Sequence, residues 1–159
     1  MTWKELCLDR RFQDLPFKIE LNGQGQIIMS PTHNYHGFFA FRIGELLRKH
    51  LAQGEVIVEC AVETSDGTKE ADVAWASKRR WAKICDDYSA SVAPEICVEV
   101  LSPNNRLAQM MVKRDLYLEA GAREYWLCDK NGRLLFFDEH GQLERSRMAP
   151  KFPTKIKRK

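Results

Sequence analysis

The sequence lacks the short motifs that mark several large enzyme classes. It contains no Walker phosphate-binding loop, no GxGxxG turn and no GxSxG nucleophile elbow. Its four histidines are scattered without an HExxH pair, and its five cysteines form no CxxC pair. The sequence therefore gives no support for a P-loop nucleotidase, a dinucleotide-binding enzyme, an α/β-hydrolase or a zinc site.

Long apolar segments are also missing. No run approaches the ~18 apolar residues that a membrane-spanning helix needs, and no N-terminal segment resembles a signal peptide. Three cysteines, Cys60, Cys97 and Cys128, lie within apolar, strand-like runs, where a thiol behaves as a small hydrophobic group. We therefore expect buried, reduced thiols and a cytoplasmic protein without a membrane partner.

The excess of one charge sign is small. The chain has 25 Lys and Arg against 22 Asp and Glu, a formal net charge of +3. Basic clusters at 78–80 and 155–159 suit a phosphate backbone, although ordinary solvated surface charge is the simpler explanation of either cluster alone. At this length we expect one domain over residues 1–159, with an N-terminal extension at 1–16 and a basic tail at 150–159.

Hydrophobic periodicity and turn signals predict a single α/β unit with a mixed sheet. An Asn-Gly-Gln-Gly turn between alternating residues indicates an N-terminal hairpin, and a one-sided apolar pattern indicates a long helix after it. An amphipathic helix ending at Gly121 and a hairpin at Asn131-Gly132 follow later in the chain. The predicted ranges are 17–21, 26–29, 55–62, 70–75, 96–101, 124–128 and 133–137 for strands, and 34–51 and 77–87 for helices.

Two carboxylates occupy positions where the pattern predicts burial. Glu99 interrupts the apolar run 96–101, and Asp72 is flanked by small and apolar residues on an inner strand. A buried carboxylate costs several kcal/mol unless a cation pairs with it. If the two strands are neighbours, both side chains can reach one point, where two carboxylates and a backbone carbonyl would suit Mg²⁺. Such an ion would neutralise a phosphate and lower the pKa of a bound water.

A cation on the following helix offers another explanation of Glu99. Arg106, Lys113 and Tyr117 lie along the border of that helix's apolar face. Lys113 could orient a water or stabilise the charge that develops on a phosphate in the transition state. An ion pair between Glu99 and Lys113 accounts for the buried carboxylate about as well as a metal does.

Other candidate side chains are explained more simply as surface or core. Glu45 lies off the centre of the long helix's apolar face, and we expect it to be solvated unless helix packing turns it toward the sheet edge. His33 and His36, near the start of that helix, fit capping or surface positions better than a site. Tyr117 and Trp126 fit the core better than a base-stacking surface.

Several segments together resemble a known family. Three of them carry the closest likeness: ADV at 71–73, VEVLSPNNR at 98–106 and KRDLYLEAGAREYWLCD at 113–129. FKIELNG at 17–23 and MSP at 29–31, followed by His36, resemble the opening of the same family. On these residues, and over nearly its whole length, the chain resembles the Uma-two family of putative restriction endonucleases, within the PD-(D/E)xK nuclease superfamily.

The resemblance implies a restriction-endonuclease-like α/β (α+β) core, in which a mixed β-sheet is flanked by helices, with N-terminal and C-terminal β-hairpins. It matches Asp72 to the aspartate of the PD motif and Glu99 to the acidic residue of the (D/E)xK motif. In the superfamily these residues bind Mg²⁺, for which Mn²⁺ can substitute, and the carbonyl of Val100 would be the third ligand. DNA as the substrate and a homodimer that cuts both strands are further implications.

This sequence departs from the superfamily motif at two positions. Ala71 stands where the motif has proline, which affects only the turn into the strand. Leu101 stands where the motif has lysine, and Lys113 on the next helix matches the lysine that replaces it in the family. By this resemblance the expected catalytic residues are Asp72, Glu99 and Lys113, and the expected accessory residues are Glu20, Glu45 and Arg106.

Two functions of different classes remain open at this point. The leading interpretation is a Mg²⁺-dependent endonuclease that hydrolyses DNA phosphodiester bonds. The alternative is a catalytically inactive module on the same fold that binds DNA or a protein partner, with its carboxylates in structural ion pairs. A small-molecule enzyme on this fold has no supporting motif, and the modest net charge argues against very tight non-specific DNA binding at physiological salt.

Overall fold

The computed structural model describes residues 1–158; Lys159, the last residue of the predicted basic tail, lies outside the described residues. A 3₁₀ turn at Arg10–Phe12 follows the first helix. In chain order the helices and strands are α1 (Trp3–Leu8), β1 (Lys18–Leu21), β2 (Ile27–Ser30), α2 (Asn34–His50), β3 (Gly54–Thr64), β4 (Gly67–Ser77), α3 (Lys78–Ile84), β5 (Ile96–Val100), α4 (Leu107–Glu119), β6 (Glu124–Cys128), β7 (Leu134–Asp138) and β8 (Gly141–Leu143).

The strands form two sheets. Strands β3 to β8 build a six-stranded sheet in the order β3-β4-β5-β6-β7-β8, whereas β1 and β2 form a separate antiparallel hairpin. In the large sheet β5 and β6 are parallel, and the other neighbouring pairs are antiparallel. A parallel pair needs a crossover connection, which α4 supplies. The predicted mixed sheet flanked by helices, with hairpins toward both ends of the chain, is confirmed.

Each face of the large sheet is covered by a hydrophobic layer. On one face α2 packs Phe39, Ile43 and Leu47 against the sheet, because these residues recur at helical spacing on one side of α2. On the other face α3 and α4 contribute Ile84 and Tyr117. Strands β5 and β6 are buried at every position because both faces are covered, which explains their nearly continuous apolar sequences.

The β1–β2 hairpin has a small core of its own and is tied to β4 by polar side chains. Residues of α1 and β1 form a buried apolar cluster outside the two main layers. The Lys69 ammonium donates a hydrogen bond to the Leu21 carbonyl (3.2 Å), and the Glu70 N–H donates to the Glu20 carboxylate (2.9 Å). The hairpin is therefore held alongside β4. Side chains of β1 can reach the middle of the large sheet from this position.

The segment predicted as a basic tail is partly built into the fold. Phe152 and Ile156 are buried in the layer that α2 covers. The Ile156 N–H donates to the Gly132 carbonyl at 2.7 Å, and the Leu134 N–H donates to the Thr154 carbonyl at 2.8 Å. Gly132 has a φ of +84°, and a Cβ at this position would overlap the Ile156 carbonyl, so that only glycine fits this turn.

The cysteines are free thiols, and Cys60, Cys97 and Cys128 are buried as predicted. Burial raises the pKa of the Cys60 thiol to about 12, so that it stays protonated and unreactive at neutral pH. Within residues 1–158, no helix is at once long enough and apolar enough to span a bilayer.

Candidate active site

Asp72 and Glu99 lie close together because their strands, β4 and β5, are antiparallel neighbours. Both residues stand one position beyond the register pair Val73–Val98. Both are buried, with 6% of Asp72 and 2% of Glu99 exposed. The Val100 N–H donates a hydrogen bond of 2.7 Å to Asp72 Oδ2 and so fixes this carboxylate against β5. The structure thus brings together the two carboxylates that the sequence singles out.

A lysine that the sequence analysis did not single out lies between these carboxylates. The Lys18 ammonium, at the start of β1, is 2.8 Å from Asp72 Oδ1 and 2.9 Å from Glu99 Oε2. Its side chain is only 11% exposed. No spacing rule indicates this contact, because it depends on how the separate hairpin docks against the large sheet.

Lys113 reaches the same cluster from the crossover helix. Its ammonium is 2.7 Å from Glu20 Oε1 and 3.3 Å from Glu99 Oε1. The Tyr117 hydroxyl, one helical turn further along α4, donates to Glu99 Oε1 at 2.7 Å. Lys113 and Glu20 therefore stand beside the carboxylate pair, and Tyr117, which is buried in the core, also binds Glu99.

His36 belongs to this cluster, and the expectation that it caps a helix or lies at the surface is wrong. Its Nε2 lies 3.1 Å from Asp72 Oδ2, with 12% of the side chain exposed. His36 sits in the first turn of α2, and the packing of α2 on β4 turns it inward. His33 is the residue that precedes α2, and its side chain makes no capping hydrogen bond.

Two expected accessory residues lie elsewhere. Glu45 is exposed on α2 and pairs with Arg42 on the same helix at 3.0 Å, as expected for a solvated side chain, and helix packing does not turn it toward the sheet edge. The buried side of α2 is set by Ile43 and Leu47, and Glu45 points away from it. Arg106 is exposed at the start of α4, and among residues 1–158 its side chain makes no ion pair with these carboxylates.

Burial and ion pairing act in opposite directions on the pKa values of the cluster. Burial by itself raises the pKa of Asp72, but Lys18 and His36 outweigh it and hold that pKa well below its usual range. For Glu99 burial outweighs Lys113 and Lys18, and the pKa is raised. Burial would lower the pKa of Lys18, yet the surrounding carboxylates raise it well above its usual range. Lys18 is therefore a cation at neutral pH.

Replacing Tyr117 by phenylalanine is expected to lower the free energy of unfolding by ~1.5–3 kcal/mol, the usual contribution of a hydrogen bond to a charged group. The variant leaves Glu99 buried with one donor fewer. Urea denaturation followed by circular dichroism measures the change.

The matched control for this variant is Tyr125→Phe. The Tyr125 ring stacks on Tyr117 with centroids 6.0 Å apart, but its buried hydroxyl has no hydrogen-bond partner among the described residues. We expect a change of less than ~1 kcal/mol, because no hydrogen bond to a described residue is lost. Equal losses in both variants would show that the bond to Glu99 is not the source.

The oxygen atoms of this cluster fit a hard divalent cation. Asp72 Oδ1 and Glu99 Oε2 both lie within 2.9 Å of one ammonium nitrogen, so they face a common cationic centre. Carboxylate oxygens are the ligands that Mg²⁺ takes, and this ion usually keeps several waters. Among residues 1–158, no group of three or more His, Cys, Asp or Glu side chains could hold a metal, so an ion here would also need carbonyl or water ligands.

An open cleft of about 890 Å³ leads to Asp72 from outside. The loop before β1, the start of α2 and strands β3 and β4 form its walls, with Lys18, His36 and Glu70 among the lining side chains. Burial raises the pKa of Glu70 to about 7. The cleft gives a solute access to Asp72.

Comparison with known proteins finds a nuclease family and a nuclease structure. A family model named Uma2, described as "Putative restriction endonuclease", matches residues 8–153. The chain is similar in structure to a putative nuclease belonging to DUF820 from Anabaena variabilis, with a TM-score of 0.66 and 17% sequence identity. That likeness covers 98% of this chain and 94% of the other, and at this identity it establishes the fold alone. A comparison with curated proteins gives no match.

The family match carries more than the structural likeness, because a likeness at 17% identity shows only the fold, whereas the family model matches this chain's sequence over residues 8–153. It includes the hairpin that bears Lys18 and Glu20, both strands that bear the carboxylates, and the helix that bears Lys113. The chain belongs to the Uma2 family.

Proposed function

We propose that this protein is a Mg²⁺-dependent endonuclease that hydrolyses phosphodiester bonds in DNA. The observation that carries the proposal is the pair of buried carboxylates on adjacent strands, each presenting one oxygen to the same cationic centre beside a second lysine. The family's description supplies the reaction class. The cleft that reaches Asp72 supplies the route for a substrate.

Asp72 and Glu99 would hold the ion, with the Val100 carbonyl as third protein ligand. Bound there, Mg²⁺ or its substitute Mn²⁺ would act as a Lewis acid toward the scissile phosphate and lower the pKa of a coordinated water. Val100 N–H and His36 hold Asp72 in place, and Tyr117 holds Glu99. The protein's own contribution is therefore a preorganised pair of ligands that needs little rearrangement to act.

Lys113 would take the role of the lysine that Leu101 replaces in the motif. Its ammonium lies 3.3 Å from Glu99 Oε1, on the side away from the oxygen that faces Lys18. From this position it can orient the attacking water or stabilise the charge on the phosphate in the transition state. Glu20, which accepts a 2.7 Å bond from the Lys113 ammonium, would position Lys113. A homodimer would supply a second site for the second DNA strand.

Nicking of supercoiled plasmid tests this function. Wild-type protein at low salt should nick the plasmid with Mg²⁺ or Mn²⁺ and lose the activity in EDTA. Lys113→Met should reduce the nicking rate by ~100-fold or more, the scale of a lost charge-stabilising group. Its control is Lys49→Met, an exposed lysine in the last turn of α2, far from His36 at the other end of that helix. Nicking that resists EDTA, or that survives Lys113→Met unchanged, would contradict the assignment.

One observation favours the alternative, a catalytically inactive module that binds DNA or a protein. Lys18 and Lys113 together neutralise much of the charge of the carboxylates, as a purely structural ion-pair network would. Wild-type protein that shifts a DNA duplex in a gel with or without divalent ions, yet never nicks plasmid, would favour this alternative.

A further inference from the structure

The two oxygens of each buried carboxylate have different kinds of partner. Asp72 Oδ2 accepts from the Val100 N–H and lies 3.1 Å from His36 Nε2. Glu99 Oε1 accepts from Lys113 and Tyr117. The remaining two oxygens, Asp72 Oδ1 and Glu99 Oε2, face Lys18. In each carboxylate, one oxygen is thus held by residues of the large sheet, α2 or α4. The other oxygen is held by Lys18, a residue of the hairpin.

Lys18 comes from an element that lies outside the six-stranded sheet. It is the first residue of β1, in a hairpin that shares no backbone ladder with the six-stranded sheet. The loop before it is largely exposed and lines the cleft, as Lys18 itself does. Withdrawal of the ammonium into the cleft therefore requires rotation of a flexible side chain, not rearrangement of the core.

A divalent ion and the Lys18 ammonium cannot use the same two oxygens at once. Both are cations, and at a separation of a few ångströms their repulsion in a buried site is large. Without a cation between these two oxygens, however, the two buried carboxylates would repel each other, because Lys113 contacts only the other oxygen of Glu99. The cluster therefore needs one cation at this centre, and the chain carries one in place.

We propose that Lys18 is a placeholder cation, which holds Asp72 and Glu99 in the ligand arrangement until a divalent ion binds and then withdraws into the cleft toward Glu70. This inference rests on the proposed function, since it assumes that the carboxylate pair binds a metal. Glu70 lines the same cleft and offers the withdrawn ammonium a carboxylate. Lys18 is in this view a positioning residue and a competitor of the metal.

The proposal makes Lys18 different from a catalytic lysine. Removal of a catalytic lysine beside the metal, such as Lys113, would raise metal affinity only through lost charge repulsion. Removal of a placeholder would also free the two ligand oxygens that it occupies. The Lys18 ammonium and the metal ion are mutually exclusive at these oxygens. By thermodynamic linkage, the factor by which Lys18 stabilises the metal-free site is the factor by which it weakens metal binding. The quantity that separates the two roles is therefore the gain in metal affinity of Lys18→Met compared with that of Lys113→Met, and an equal gain in both would overturn the placeholder role.

Isothermal titration with Mn²⁺ measures this affinity directly. Lys18→Met keeps the length of the side chain and removes the charge, and we expect it to bind Mn²⁺ roughly 10-fold tighter or more, within the usual ~5–150-fold range of coupling between sites. Without metal, the same variant should unfold at a lower temperature, and Mn²⁺ should restore more of its stability than it gives the wild type.

The matched control is Lys69→Met. Lys69 is also a buried lysine of this region, but its ammonium binds Asp66 and the Leu21 carbonyl, not the carboxylate pair. This variant should lose stability and keep the Mn²⁺ affinity of the wild type. An equal gain of affinity in Lys69→Met would overturn the proposal, because loosening of the hairpin alone would then explain the effect.

The outcomes separate this inference from the proposed function. If the wild type binds Mn²⁺ and Lys18→Met binds it no tighter, the placeholder role is overturned and the metal site stands. If neither binds Mn²⁺ at millimolar concentration, the metal site and the placeholder role fall together. Mn²⁺ binding by Lys18→Met alone would support the placeholder role most strongly.

Lysine acetylation of the wild-type protein provides a test that needs no variant. Lys18 is shielded by the carboxylates, and its modification by an acetylating reagent should rise at least several-fold when Mn²⁺ is added, as mass spectrometry of the peptides would show. Lys69 should show no change. A Lys18 that stays protected at saturating Mn²⁺ would overturn the withdrawal step.

Discussion

Asp72→Asn is expected to abolish metal-dependent nicking, with a loss of at least ~100-fold, because it removes one of two charged metal ligands. Asparagine has nearly the same shape and keeps one oxygen, so the hydrogen bond from the Val100 N–H can persist. What disappears is the negative charge at the oxygen facing Lys18. Plasmid nicking and Mn²⁺ titration of the same preparation measure the two consequences.

Stability alone would not separate an enzyme from a binding module. The carboxylates pair with buried lysines in the structure, so Asp72→Asn should lose several kcal/mol of stability under either interpretation. The loss is limited because Lys18 still has Glu99 at 2.9 Å. Activity and metal affinity are therefore the decisive measurements, and circular dichroism serves only to show that the variant is folded.

Glu45→Gln is the control for Asp72→Asn. Glu45 is an exposed carboxylate on α2 whose ion-pair partner within residues 1–158 is Arg42, and its replacement should change neither nicking nor Mn²⁺ binding. Nicking at the wild-type rate by folded Asp72→Asn would place the active site elsewhere, or would identify the activity as a contaminant.

Glu124→Ala should have the largest effect on stability, a loss of ~3–5 kcal/mol in the free energy of unfolding. Glu124 is 2% exposed and accepts hydrogen bonds from Trp126 Nε1, Ser146 Oγ and the N–H groups of Arg147 and Met148, all within 3.0 Å. Alanine would leave these four donors without their acceptor. It would also release the segment that leads to Phe152, which is buried on the core.

Urea denaturation measures this loss against two other variants. Glu124→Gln keeps the shape and one acceptor oxygen and should lose roughly half as much, since it converts charged bonds to neutral ones and introduces two competing donors. Glu144→Ala removes an exposed carboxylate close by and should change stability by less than ~0.5 kcal/mol. A loss below ~1 kcal/mol in Glu124→Ala would show that the C-terminal segment does not depend on this carboxylate.

The parts of the fold that the sequence predicts are those governed by local periodicity. The one-sided pattern in 34–51 predicts α2, whose observed range is Asn34–His50, and the apolar run at 96–101 predicts β5. The carboxylates Asp72 and Glu99 could be paired from sequence because each interrupts a stretch whose burial is itself predictable. An ionisable residue inside an apolar strand is a signal that needs no tertiary structure.

Lys18 and His36 carry no such signal. Lys18 begins a short strand and His36 begins a helix, and both positions commonly face solvent. Their inward placement follows from the docking of the hairpin and of α2 against β4, which only the assembled fold determines. Glu45 lies off the centre of the apolar face in the sequence pattern, and the rotation of α2 that buries Ile43 and Leu47 leaves it exposed, as that position indicates.

The residues of the cluster belong to two parts of the fold that differ in local stability, the six-stranded sheet with its crossover helix and the separate hairpin. Asp72, Glu99 and Lys113 stand on elements locked into the six-stranded sheet and its crossover helix, whereas Lys18 and Glu20 stand on two four-residue strands held by a few apolar residues and side-chain bonds. Small units of this kind open at lower free energy than the global transition. Local opening of the hairpin would then remove a cation and an anion together, so that the remaining cluster keeps its net charge while it gains access to solvent. Any ligand that contacts both units must order the hairpin as it binds, and part of its binding free energy is spent on that ordering.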